Sequence, residues 1–100
     1  MKLPPRLNFK AVIKAYNEQG DRYSNAQEIL DELKKRIEIE FGYRGKLYSL
    51  SFNQRGLHAI EWDKPETKKT YQTPEECLSD YEIEGQKLIE IVTEIDVYAH

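Results

Sequence analysis

The sequence predicts an α+β fold, and three stretches carry that prediction. Residues 45–63, GKLYSLSFNQRGLHAIEWD, supply the aromatic and branched side chains of two strands around a polar turn. Residues 24–41 repeat apolar side chains at helical spacing behind a capping residue. Thr73-Pro74 opens a second, shorter helix. At 100 residues, 39% of them apolar, the chain has material for one domain over residues 1–100 with a modest core.

In the hairpin, residues 47–52 and 57–62 read as strands joined by Asn53-Gln54-Arg55-Gly56, whose glycine can close the loop in a left-handed conformation. Side chains alternate across a strand, so Tyr48, Leu50 and Phe52 share one face, as do His58, Ile60 and Trp62. These two apolar sets are expected to meet across the strands on the core side. Leu47, Ser49, Ser51, Leu57, Ala59 and Glu61 then take the opposite, wetter face. The strand at 46–52 carries only Lys46 as a charge and is expected to form an open sheet edge, suited to strand addition or dimerisation.

The remaining elements follow in order. Pro4-Pro5 blocks regular structure in the lead-in. Residues 7–16 fit two periods. Leu7, Phe9, Ala11, Ile13 and Ala15 alternate as in a strand, while Phe9, Val12, Ile13 and Tyr16 fit a helix. The short run and the missing N-cap favour the strand. Over 24–41, Ser24 and Gln27 suggest a capping box, and Ala26, Ile29, Leu30, Leu33, Ile37 and Phe41 form the apolar stripe. Asp31 with Lys35 and Glu32 with Arg36 are helical ion-pair spacings, and Gly42 is the expected stop. Residues 64–72 read as a loop. Thr73 caps the second helix, with Glu76 three residues on; Cys77, Leu78 and Tyr81 form its buried side and Gly85 its end. Residues 86–98 read as a strand with Ile89, Ile91, Thr93, Ile95 and Val97 on one face. The order βαββαβ is the ferredoxin-like plan of two helices on a four-stranded sheet. With a helix first, it becomes ααββαβ with a three-stranded antiparallel sheet.

Composition narrows function by exclusion. A single cysteine, Cys77, leaves no intrachain disulfide and no thiolate metal cluster. No apolar run is long enough to cross a membrane, and the N-terminal residues lack the apolar core of a signal peptide. A cytoplasmic protein without a cofactor or resident metal is therefore expected. The net charge of −3 is uneven: Lys2, Arg6, Lys10 and Lys14 precede the first acid, whereas acids dominate from Glu75 onward.

Arg55-Gly56-Leu57-His58-Ala59-Ile60-Glu61-Trp62 resembles the RNP1 signature of the RNA-recognition motif family. Arg55, Gly56, Ile60 and Trp62 fit. The third and fifth positions, where that family stacks bases on aromatic rings, are Leu57 and Ala59. The resemblance covers eight residues. It implies nucleic-acid binding on an open sheet face, with Arg55, Lys10, Lys14 and Tyr16 as contacts. Cys77 with His58 would pair a nucleophile with a base, but Cys77 lies on the buried stripe of a helix and reads as a core residue, and His58 between aromatics reads as a structural histidine. Asp63, Glu66 and Lys68 resemble the acidic pattern of metal-dependent nucleases, a spacing that arises by chance in a chain 33% charged. Gly42 and Gly45 make no phosphate loop.

The expectation that remains is a small non-catalytic module that binds another protein, of the inhibitor, immunity or antitoxin type, or a phage or mobile-element regulator. Tyr43, Arg44, Arg55, Lys64, Lys68, Lys69 and Tyr71 are its expected partner-binding residues, being tyrosines and cations in connections. Tyr16 and Tyr23 belong to the same class of tyrosines at element ends. Two alternatives accompany it: a nucleic-acid binder, and an oligomeric small-ligand module of ferredoxin-like type, a homodimer formed through the sheet edge or through an open face of Leu47, Val12, Leu57, Ala59 and Val92.

Overall fold

A computed structural model describes residues 21–100 of the protein. The segment 7–16, expected as a strand or a helix, lies outside them. Within them the chain forms α1 (Ala26–Lys34), β1 (Ile39–Tyr43), β2 (Lys46–Asn53), β3 (Gly56–Glu61), a 3-10 turn (Pro65–Thr67) and β4 (Lys69–Tyr71). It continues through α2 (Pro74–Asp80), β5 (Glu82–Ile83), β6 (Gln86–Lys87), α3 (Leu88–Ile91) and β7 (Asp96–Ala99).

The first helix starts one residue later than expected and ends seven residues earlier. The Asn25 side chain, not that of Ser24, accepts the Glu28 amide at 3.2 Å, and the Glu28 carboxylate accepts the Ser24 amide in return. At the far end Arg36 takes φ 61°. Its amide donates to Leu33 O at 2.9 Å while the Ile37 amide donates to Glu32 O at 3.0 Å, the Schellman pattern. Beyond it Ile37-Glu38-Ile39-Glu40-Phe41 alternates with period two, and β1 replaces the expected helical turn. Gly42 is therefore not a helix stop. It sits inside β1, where a Cβ would lie 2.9 Å from the Tyr98 ring.

The central hairpin forms as expected, but its facing is inverted on one strand. Asn53 pairs with Gly56 around a two-residue turn, so Leu57 lies opposite Phe52, Ala59 opposite Leu50 and Glu61 opposite Tyr48. A turn of even length fixes this parity, and a one-residue slip would exchange the faces of β3. Leu57 and Ala59 are thus buried beneath the helices, while His58 and Ile60 share the second face with Ser49 and Ser51.

Residues 64–72 are not wholly loop. The 3-10 turn leads into β4, which pairs with β3. The second helix is capped by Thr73, whose hydroxyl accepts the Glu76 amide at 3.2 Å, and it buries Cys77 and Leu78, with Tyr81 buried just after it, as expected. It ends at Asp80. Gly85 instead closes the tight turn with Glu84 between β5 and β6, both residues at positive φ. The expected strand 86–98 is broken by α3, because Leu88, Ile91, Val92 and Ile95 follow helical spacing and are all buried, leaving Ile89 49% exposed.

The sheet order is β4-β3-β2-β1-β7, antiparallel throughout. Among the described residues the fold is α+β, with a five-stranded antiparallel sheet and three helices. Four strands separate α1 from α2, where the ferredoxin-like plan places two, and five strands replace the three of the alternative plan. The expected open edge at 46–52 is overturned, because β2 lies at the centre of the sheet, paired on both sides. Among the described residues the edges are β4 and β7, and β7 is partly covered by Asp21, which exchanges two backbone hydrogen bonds with Val97 at 3.1 and 2.9 Å.

His100 ties this corner together. Its Nδ1 lies 2.9 Å from Glu32 Oε2 and its Nε2 lies 2.9 Å from Asp21 Oδ2, so both ring nitrogens face carboxylates. Such a site calls for the imidazolium. Burial alone would lower its pKa, but the hydrogen bonds that the ring donates to Asp21 and Glu32 outweigh that and raise it. A raised folded-state pKa stabilises fully below the unfolded value and is lost as pH climbs through the folded one. Denaturation midpoints are therefore expected to fall as pH rises past the ordinary histidine value of about 6.5, and the fall is expected to shrink in His100→Gln. Gly56→Ala is expected to cost about 2 kcal/mol in urea unfolding, because φ is 131° there and a Cβ would strike the Tyr71 carbonyl.

Candidate functional site

The β2–β3 register also shapes a concavity. By setting Glu61 opposite Tyr48 on the helix side, it places a carboxylate where the apolar face ends. There the sheet runs past α2, and the turn of β5 and β6 forms a second wall. The space between is a cleft of about 590 Å³. Lys46, Tyr48, Glu61, Lys69 and Tyr71 line it from the sheet. Glu66 and Thr67 line it from the 3-10 turn, and Asp80, Tyr81, Glu82, Ile83 and Glu84 from the opposite wall. Thr67 holds the floor: its hydroxyl accepts the Glu61 amide at 3.0 Å and donates to Lys64 O at 2.7 Å.

The lining holds five carboxylates and two lysines. Three ion pairs stitch its rims, Lys46 with Glu84 at 3.1 Å, Lys64 with Glu61 at 2.8 Å and Lys87 with Glu82 at 2.8 Å. Hydrogen bonding to Lys87 holds the Glu82 carboxyl below the usual carboxylate range. Among the described residues, Glu66 and Asp80 face no cation within ion-pair distance. Tyr48 and Tyr81 are only 4% and 5% exposed, and no hydrogen bond among the described residues reaches either hydroxyl. Burial, with Glu61 and Glu84 nearby, pushes the Tyr48 phenol up to about 12, and burial pushes Tyr71 up to about 12 as well. Tyr81 moves in the same direction, again chiefly through burial. At neutral pH the cleft thus offers un-ionised phenols beside carboxylates, a set of acceptors suited to a cation with several N–H donors.

The expected partner-binding residues do not form one surface. Lys69 and Tyr71 line the cleft, and Lys64 reaches its rim through Glu61. Lys68 is exposed between the 3-10 turn and β4. Tyr43 is interior, its hydroxyl donating to Gln86 Oε1 at 2.7 Å, so it is a packing residue and not an exposed anchor. Arg44 occupies the β1–β2 turn with its guanidinium 5.2 Å from the Tyr43 ring centre. Arg55 lies in the β2–β3 turn, at the other end of β2. Tyr23 is buried and donates to Glu32 at 2.6 Å, while Tyr16 lies outside the described residues. Missed from sequence were Tyr48, Tyr81 and the carboxylates of the second wall. A signal existed in Asp80-Tyr81-Glu82-Ile83-Glu84, where acids alternate with buried residues as in a strand.

Cys77 and His58 are not brought together. Cys77 is fully buried, with its thiol pushed up to about 12 by that burial. His58 is on the second face of the sheet, away from Cys77 and away from the core face where it was expected. Its Nδ1 lies 2.9 Å from Thr70 Oγ1, and its buried Nε2 has no hydrogen-bond partner among the described residues. No group of three metal-ligating side chains occurs among the described residues. Leu57 and Ala59, the third and fifth positions of the RNP1-like stretch, are buried under the helices, as is Val92 within the same core. They build this chain's interior and not a dimer face. Lys10 and Lys14 lie outside the described residues. No helix among the described residues is long and apolar enough to cross a membrane.

Because the hydroxyls of Tyr48 and Tyr81 open into the cleft and make no hydrogen bond within the described residues, removing them forfeits little. Tyr48→Phe and Tyr81→Phe are each expected to change unfolding free energy by less than about 0.5 kcal/mol. Tyr43→Phe, which breaks the bond to Gln86, is expected to cost about 1 kcal/mol. Urea denaturation of the three variants checks the contrast.

No protein-family model matches the chain, and neither the curated proteins nor the solved structures contain a significant match to it.

Proposed function

We propose that the protein is a non-catalytic binding module that docks another protein along β4 and into the cleft behind it. The supporting observation is the junction itself. Strand β4 is an edge of the sheet with no described strand on its outer side, and two of its three residues, Lys69 and Tyr71, line the acidic cleft. An unpaired edge offers backbone donors and acceptors to an added strand, and an adjacent pocket for alternate side chains gives such an addition its specificity. The acids dominating the chain from Glu75 onward favour a basic partner surface. A small inhibitor or antitoxin-type protein works in this manner, by covering a partner and not by chemistry of its own.

The test compares the tagged protein with a Glu66→Lys, Asp80→Lys double variant, after nuclease treatment of lysate from the source cells. Both positions are exposed and make no ion pair among the described residues, Asp80 only accepting a hydrogen bond from the adjacent Ser79 hydroxyl at 3.2 Å, so the variant is expected to keep the wild-type melting temperature. A protein retained stoichiometrically by wild type and lost from the variant is the expected result. Equal retention by both, no retained protein, or recovery abolished by nuclease would each overturn the proposal.

A further inference from the structure

The geometry points to a specific occupant: an extended basic segment of a partner protein, added as a strand to β4 with one arginine side chain seated in the cleft. This inference rests on the protein-binding reading above and names what that site recognises. Two independent features support it. The first is charge: Glu66 and Asp80 lack a cation within ion-pair distance among the described residues, beside carboxylates that are already paired. The second is the pair of nearly buried tyrosines, Tyr48 and Tyr81, which line the cleft with hydroxyls that no hydrogen bond among the described residues satisfies.

A guanidinium matches both. It carries five N–H donors in a planar fork and keeps its charge at any physiological pH, so it can bond phenol oxygens and carboxylates together. Phosphate would meet repulsion from the same carboxylates, which sets nucleic acid aside as the occupant. The strand geometry supplies reach. Side chains on an added strand alternate, and those opposite Lys69 and Tyr71 turn toward the cleft, while the one opposite Thr70 turns to the second face. A neighbouring strand lies about 4.8 Å away, within the length of an arginine side chain from the lining. A free small cation would use the cleft alone and leave the edge of β4 unused.

The test uses a short, end-blocked peptide of alternating threonine and arginine, titrated into isotope-labelled protein and followed by NMR. Three controls accompany it: the same peptide with glutamine for arginine, the same peptide N-methylated at alternate amides, and free agmatine. Expected are shifts of the Lys69, Thr70 and Tyr71 amides together with the Tyr48 and Tyr81 ring signals. Glutamine replacement and N-methylation are each expected to weaken binding at least about tenfold, and agmatine to bind at least about tenfold more weakly than the arginine peptide. Agmatine binding as tightly as the peptide would make the cleft a small-cation site and overturn the inference. So would equal binding of the glutamine peptide, or shifts confined to other surfaces. If the Glu66→Lys, Asp80→Lys variant loses a captured protein while the arginine peptide leaves β4 unshifted, the interaction module stands and this occupant falls. If the peptide binds as expected and no protein is captured, the recognition chemistry stands and the docking function falls.

Discussion

The register of β2 against β3 is the constraint on which the remaining structure depends. Asn53 and Gly56 pair around a turn of even length, and every cross-strand partner follows from that parity. Leu50 meets Ala59 and Phe52 meets Leu57, so the side of the hairpin beneath the helices is apolar and finely filled. Burying Leu57 alone is worth about 1.5–3 kcal/mol. The opposite parity would direct Ile60 and Trp62 inward and expel Leu57. It would also withdraw Glu61 from the helix side, and the cleft would lose the carboxylate beside Tyr48.

The cleft is a product of two walls brought together by contacts distant in sequence. One wall belongs to the sheet, and the other is the end of α2 with the β5–β6 hairpin. They are held by the Tyr43–Gln86 hydrogen bond at 2.7 Å and the Lys46–Glu84 ion pair at 3.1 Å, which join β1 and β2 to that hairpin. The hydrogen bond is partly buried and counts for more than the exposed ion pair, which salt and side-chain entropy weaken. Tyr43 therefore contributes to the site by positioning its second wall, and Lys69 and Tyr71 contribute by lining it.

Much of the fold was legible in the sequence where a single signal spoke. The hairpin strands, the Thr73 cap and the buried trio Cys77, Leu78 and Tyr81 were each marked by one unambiguous pattern. Failures fell where two periods coincide. Ile37 and Phe41 satisfy both the helical stripe and the alternation of β1, and only the φ of 61° at Arg36, which no local residue type announces, decides between them. Ile91 and Ile95 likewise belong to both the expected strand and the observed helical spacing, with Leu88 and Val92 settling the matter for the helix. On β3 the size of Ile60 and Trp62 favours one face as the core side, whereas the parity of the two-residue turn assigns that side to Leu57 and Ala59. The cleft was illegible for a different reason: its walls are non-local, and no short motif encodes their meeting.

The most direct measurement is the set of cross-strand nuclear Overhauser contacts between β2 and β3 in isotope-labelled protein. The structure requires Hα and amide contacts that pair Tyr48 with Glu61, Ser49 with Ile60, Leu50 with Ala59 and Ser51 with His58. Observation of that series would establish the parity that builds both the core face and the cleft. A series pairing Tyr48 with Trp62 and Leu50 with Ile60 would contradict it, and the cleft with its two buried tyrosines would have no structural basis.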